Sequence, residues 1–130
     1  MVQVKSFNQS GKGFWSLMGP MFASALVKRE LGISMSSDET YTWFLALDGR
    51  QLIGFCAVTP EKSGSRLRHV YVLPEFRDSG VATQLVEAAI AASEKPLHLS
   101  VRKDEADFYE KFGFASTGKA RGQYVEMEHI

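Results

Sequence analysis

The stretch from Arg68 to Ala92, RHVYVLPEFRDSGVATQLVEAAIAA, narrows the fold more than any other part of the chain. His69 to Leu73 reads as a strand that stops at Pro74, a charged and glycine-bearing loop follows, and a helix begins near Gly80. A strand that runs into a helix N-terminus leaves several backbone N–H groups without intrahelical partners, and the positive end of the helix dipole lies at the same place. With Gly80, Ala82 and Thr83 at the helix start, an anion such as a pyrophosphate is the expected occupant.

The rest of the chain must form the body that holds this unit. The 130 residues fit one domain, spanning 1–130 and long enough to bury roughly two-thirds of the surface an unfolded chain exposes. Fifteen basic residues balance fifteen acidic ones, so no global field draws in nucleic acid or an anionic membrane. The single cysteine, Cys56, lies in the apolar run GFCAV, which suits a small buried residue in a reducing compartment. The N-terminal MVQVKSF lacks the apolar core of a signal peptide, and no apolar run reaches membrane-spanning length, so the expected setting is the cytoplasm.

In chain order, Val2 to Phe7 alternates apolar and polar residues and reads as a first strand. Phe14 to Leu31 carries apolar residues at helical spacing, with Pro20 inside; the expectation is two short helices divided at that proline, the second closed by Gly32. Thr40–Leu47 and Gln51–Thr59 are β-rich runs joined at Asp48-Gly49, a hairpin signal. Pro60–Ser65 makes the next turn, and Leu67–Leu73 completes a three-strand meander. After the central helix come a strand at Leu97–Val101 and a helix from Asp104 to about Phe112 that Gly113 ends. A final hairpin, Phe114–Thr117 and Gln123–Glu128, turns through Gly118–Gly122. The order β-α-α-β-β-β-α-β-α-β-β predicts an α+β fold: a mixed, mostly antiparallel sheet of six to seven strands flanked by about four helices.

Two motifs sharpen this. Arg77, Gly80 and Ala82 form R-x-x-G-x-A after V-x-P, and Phe108 to Phe114 reads FYEKFGF. Together, in this order, they resemble the acetyl-CoA-binding loop and the late helix of the GCN5-related N-acetyltransferase (GNAT) superfamily. The resemblance implies an acetyl-CoA-dependent N-acetyltransferase that uses no metal and moves the acetyl group to a primary amine by direct attack in a ternary complex. It implies that Arg77, Asp78, Ser79, Gly80, Val81, Ala82 and Thr83 hold the pyrophosphate. Backbone around Tyr71, Val72 and Leu73 would pair with the pantetheine amides in a V-shaped gap beside Leu97–Val101, the Val72 N–H polarising the thioester carbonyl. Tyr109 would be the general acid. A tyrosine near pKa 10 protonates a thiolate near 8.5 slightly uphill, by about 2 kcal/mol, so a hydrogen bond that grows with thiolate charge serves as well.

The resemblance is incomplete at two points. Where many members carry a strand glutamate as general base, this chain reads Arg66-Leu67-Arg68-His69. His69, on the face of Tyr71 by alternation, is either that base or a half-exposed strand histidine; Glu126, Glu128 and His98 are alternatives. Arg102 stands where many members have an asparagine that contacts coenzyme A. The acceptor, a small molecule or a protein, is left open by Trp15, Met18, Met21 and Phe22, which read as core or as an apolar site, and by the acidic Ser37-Asp38-Glu39. The terminal hairpin suits a protein acceptor or a homodimer. Other classes consistent with the sequence are a non-catalytic acyl-CoA sensor and, through Arg66, Arg68, Lys119 and Arg121, a nucleic-acid binder or modifier; charge balance disfavours the last.

Overall fold

The computed structural model describes residues 1–130. Seven strands form one sheet: β1 (Val2–Phe7), β2 (Thr42–Asp48), β3 (Gln51–Pro60), β4 (Ser65–Val72), β5 (Leu97–Arg102), β6 (Ala115–Arg121) and β7 (Tyr124–His129). Their spatial order is β1-β2-β3-β4-β5-β7-β6, and every neighbouring pair is antiparallel except β4 with β5. Four helices flank it: α1 (Phe14–Ala23), α2 (Ala25–Leu31), α3 (Val81–Ala92) and α4 (Ala106–Glu110). The expected element order, α+β class and strand count all stand.

The sheet separates two apolar clusters. On one face Phe44, Ile53, Cys56, Leu67, Leu85, Val86 and Tyr109 pack beneath α3 and α4; on the other Phe14, Met18, Trp43, Leu45, Phe55 and Tyr71 pack beneath α1 and α2. Strands β2 and β3 are buried on both faces, which is why they read as near-continuous apolar runs. Cys56 is fully buried, and burial holds its thiol protonated. No helix is long and apolar enough to cross a membrane.

Four local expectations need correcting. The helices divide at Ser24, whose Oγ accepts from the Val27 N–H, while Pro20 stays inside α1. Pro20 and Ser16 are both exposed on α1, so the Ser16 carbonyl that the proline cannot meet lies on the solvent side and not in the core. The β2–β3 turn centres on Gly49-Arg50, because Asp48 already pairs with Gln51; only Gly49 needs the left-handed region, at φ 62°. In the last hairpin β6 continues through Gly118 to Arg121 with a register shift between Ser116 and Ala120, so the turn is confined to Gly122-Gln123. The late helix also ends early, at Glu110, and Gly113 follows in a turn at φ 100°.

Candidate active site

Strands β4 and β5 start as parallel partners, Ser65 opposite Leu97 and Arg66 opposite His98, and then part. Beyond Arg66 the edge of β4 that faces β5 has no strand partner. Which backbone groups that edge presents follows from the β3 side. The Leu73 N–H donates to the Ile53 carbonyl at 2.9 Å, and Val72 stands opposite Gly54. Hydrogen-bonded pairs alternate along an antiparallel ladder, so Val72 turns its N–H and C=O away from β3 into the gap. The Arg77 Nε–H donates to that Val72 carbonyl at 2.8 Å, from the outer side. By the same alternation the Val70 N–H also faces the gap, about 7 Å from that of Val72.

A bulge reshapes the strand just behind these groups. Tyr71 is opposite Phe55 and Arg68 opposite Ala57, so Cys56 alone faces the two residues His69 and Val70. His69 carries the extra residue in the left-handed region, at φ 57°. The inserted residue brings Arg68 onto the same face as His69 and Tyr71, where unbroken alternation would oppose Arg68 to Tyr71. Thus Arg68 Nε donates to Thr59 Oγ1 at 3.0 Å, His69 stacks on Trp43 with centroids 5.9 Å apart, and Tyr71 stacks on Phe55 at 5.5 Å.

The resulting cleft has a volume of about 850 Å³ and runs from α2 through the β4–β5 gap to the start of α3. That size suits an extended cofactor-sized molecule. At its α3 end, Asp78 at φ 62° and Gly80 at φ 86° turn the chain so that α3 begins without any side-chain cap. By contrast, α2 has its first turn satisfied by Ser24. The N–H groups of Val81, Ala82 and Thr83 therefore have no side-chain partner at the start of α3. Arg77, Asp78, Gly80, Val81, Ala82 and Thr83 line the cleft. Ser79 does not, because its Oγ–H donates back to the Phe76 carbonyl. Leu73 does not either: its N–H is committed to β3 and its side chain packs under the α1–α2 side.

Tyr109 reaches the cleft wall from α4, packed edge-on against Phe108 and Phe114 with centroids at 5.0 and 5.9 Å. Its hydroxyl makes no hydrogen bond within the protein. Burial first, then the nearby Glu105 and Cys56, push its pKa well above the usual tyrosine range, so the phenol keeps its proton. His69 lies across the cleft, 8% exposed, with neither ring nitrogen hydrogen-bonded. Burial, aided by the Arg68 charge, lowers its pKa to about 4, so the imidazole is neutral near pH 7. The sequence offered a half-exposed histidine as the alternative to a base; the ring is buried instead.

The sequence gives no signal for two participants. Val70 is hidden because the edge its N–H faces is set by the hydrogen-bonding register of β4 on β3. Glu30, from α2, accepts from the Tyr71 hydroxyl at 2.6 Å and from Arg77 Nη1 and Nη2 at 3.2 Å each. These bonds hold the Glu30 carboxyl below the usual carboxylate range, the Arg77 contact dominating, and tie α2 to the loop before α3. Burial, with the Glu30 contact, raises Tyr71 to about 12. Other candidates have local partners. Arg66 forms a two-pronged bond to Glu126, at 3.2 and 2.7 Å, and a further bond to Glu61, which removes it from any cationic patch. His98 stands 3.9 Å from both Glu126 and Glu128, outside the cleft. Asp38 accepts from Thr40, and Glu39 from Ser10 and Gln9. Met18, Met21 and Phe22 pack into the α1–α2 cluster, and Trp15 lies beside Phe14 and Phe22, so none of the four lines the cleft. Arg102 does line it, alongside Tyr124 and near Gly32 at the end of α2.

Comparisons with known proteins agree on the fold and the family. Residues 39–116 match the family model described as an acetyltransferase (GNAT) domain. No curated protein matches the sequence. Among solved structures, Escherichia coli ElaA superposes with a TM-score of 0.81 at 15% identity, over 100% of both chains. An acyl-CoA N-acyltransferase from Pseudomonas aeruginosa gives 0.76 at 14%, also over 100% of both. A GNAT family acetyltransferase from Elizabethkingia anophelis, solved with acetyl-CoA bound, gives 0.69 at 13%, over 98% of this chain and 97% of that one.

Proposed function

Because the chain belongs to the GNAT acetyltransferase family, we propose that it moves the acetyl group of acetyl-CoA to a primary amine by direct attack in a ternary complex. The observation that carries this reading is the open edge of β4, which leads from an uncapped helix N-terminus to two inward N–H groups and then to Tyr109. Acetyl-CoA supplies the thioester. The N–H groups of Val81, Ala82 and Thr83 hold its pyrophosphate, with the Thr83 hydroxyl as a further donor. The Val72 N–H, nearer the phosphates, meets a pantetheine carbonyl. The Val70 N–H, farther along β4, is then the donor for the thioester oxygen as negative charge develops there.

The amine nitrogen attacks the thioester carbon, the C–S bond breaks, and the departing thiolate receives a proton or a strong hydrogen bond from Tyr109. Its raised pKa favours the hydrogen-bonding role, since complete transfer is more uphill than for an ordinary tyrosine. His69 is the proton acceptor. An imidazole near 4 cannot strip an ammonium near 10, which costs about 8 kcal/mol. The amine therefore enters neutral, and His69 takes the proton after the N–C bond begins to form, when the nitrogen becomes acidic. The acetyl-CoA held by the Elizabethkingia anophelis relative supports the choice of donor. The buried thiol of Cys56 suits the reducing cytoplasm.

The test is calorimetric titration with acetyl-CoA, followed by a screen of amines and peptides for thiol release. Binding and turnover with at least one amine are expected. Absence of acyl-CoA binding overturns the proposal; binding without turnover on any amine leaves only a sensor.

A further inference from the structure

If acetyl-CoA occupies the β4–β5 gap as proposed, the cleft continues beyond its reactive end, and the residues there describe the acceptor. Read backward along β4 from the phosphate-facing loop, the order is Val72, Val70, the bulge at His69, and Arg68. Arg68 and His69 thus lie past the thioester, on the face that α3 and α4 do not cover. Both lack the partners their chemistry calls for. His69 is buried with two unpaired ring nitrogens, a costly arrangement unless a ligand supplies the missing bond. Arg68 donates its Nε–H to Thr59 and makes no ion pair, so its two terminal NH₂ groups meet no carboxylate.

The neighbouring arginines are different. Arg66 is matched by Glu61 and Glu126, and Arg77 by Glu30. Arg68 is the β4 guanidinium left over, and its planar fork is shaped to receive a carboxylate. We propose that the acceptor is a small amine bearing a carboxylate close to its nitrogen, an amino-acid-type substrate, with the carboxylate on Arg68 and an amine N–H directed at His69. The bulge makes this pairing available, because it places two successive side chains on one face. A bound carboxylate also cancels the Arg68 charge that helps keep His69 from accepting a proton. The acceptor's own anionic group thereby prepares the base that its amine needs.

The experiment compares the twenty α-amino acids with their α-amides and the matching amines that lack the carboxylate, by thiol release at saturating acetyl-CoA. At least one amino acid should exceed its amide in kcat/KM by about 100-fold, the discrimination expected when a charged receptor is left empty. Arg68→Ala should raise KM for that amino acid about 10- to 100-fold and bring the acid-to-amide ratio near one, with an unchanged Kd for acetyl-CoA. Arg68→Lys keeps the charge without the fork and should retain part of the preference; thermal unfolding of both variants checks that they fold. Amides used as well as acids, a loss in Arg68→Ala shared equally by acids and amides, or acetyl-CoA binding with no turnover on any amino acid would each overturn the proposal. Failure to bind acetyl-CoA overturns the donor assignment instead, so the two failures are distinct.

Discussion

Replacing His69 with phenylalanine should change how the protein's stability depends on pH. In the folded protein the imidazole titrates at about 4, against 6.5 when free, because burial penalises its charged form. Between these values the unfolded chain binds more protons than the folded one, so acid favours unfolding. The stability attached to a neutral His69 is fully present above pH 6.5 and is lost as the pH falls to about 4. At 1.36 kcal/mol per pH unit the total is about 3 kcal/mol. Phenylalanine retains a ring against Trp43 and keeps the same strained backbone, yet binds no proton. Relative to the wild type, His69→Phe should therefore gain about 3 kcal/mol between pH 7 and pH 4. Urea unfolding at half-unit intervals, followed by tryptophan fluorescence, measures the difference and cancels carboxylates common to both proteins. Parallel stability curves, or an NMR titration of His69 centred near 6.5, would refute the reasoning.

Three other predictions probe the site directly. Tyr109→Phe should lower kcat about 100-fold or more with acetyl-CoA affinity nearly unchanged, measured by thiol release and calorimetry; unaltered turnover removes Tyr109 from the reaction. Gly80→Ala places a side chain at φ 86° in open space, so the cost is conformational, about 1–2 kcal/mol, visible as a drop of several degrees in Tm and weaker acetyl-CoA binding. Gly54→Ala puts a Cβ 2.9 Å from the Tyr71 carbonyl oxygen and 3.2–3.3 Å from Leu85 and Val81, forcing α3 away from the sheet. Denaturation should register about 1–3 kcal/mol and calorimetry a weaker affinity for acetyl-CoA.

The fold was legible where local chemistry decides it. Alternation and helical spacing mark the elements, and Pro74 with Gly80 marks the loop, because those signals lie within a few residues of their effect. The β4 bulge was not legible: its left-handed position is filled by His69, not glycine, and the distortion is set by pairing with β3. Without the bulge, the shared face of Arg68 and His69 does not follow. Glu30 escaped for a different reason: its partners, Tyr71 and Arg77, are 41 and 47 residues away in the chain. Pro20 misled because propensity marks it as a breaker, whereas its solvent-facing position lets α1 tolerate it. Tyr109 was found through motif resemblance, but its burial and missing hydrogen bond are properties of the packed α4 and sheet.

The central claim is that acetyl-CoA lies along the open edge of β4 with its pyrophosphate on the first turn of α3. Titration of the amide NMR spectrum with acetyl-CoA tests it residue by residue. The largest shifts should fall on the N–H groups of Val70, Val72, Val81, Ala82 and Thr83, while that of Leu73, already bonded to Ile53, moves less. Saturable binding that leaves Val70, Val72 and the start of α3 unmoved, or no binding at all, would contradict the account.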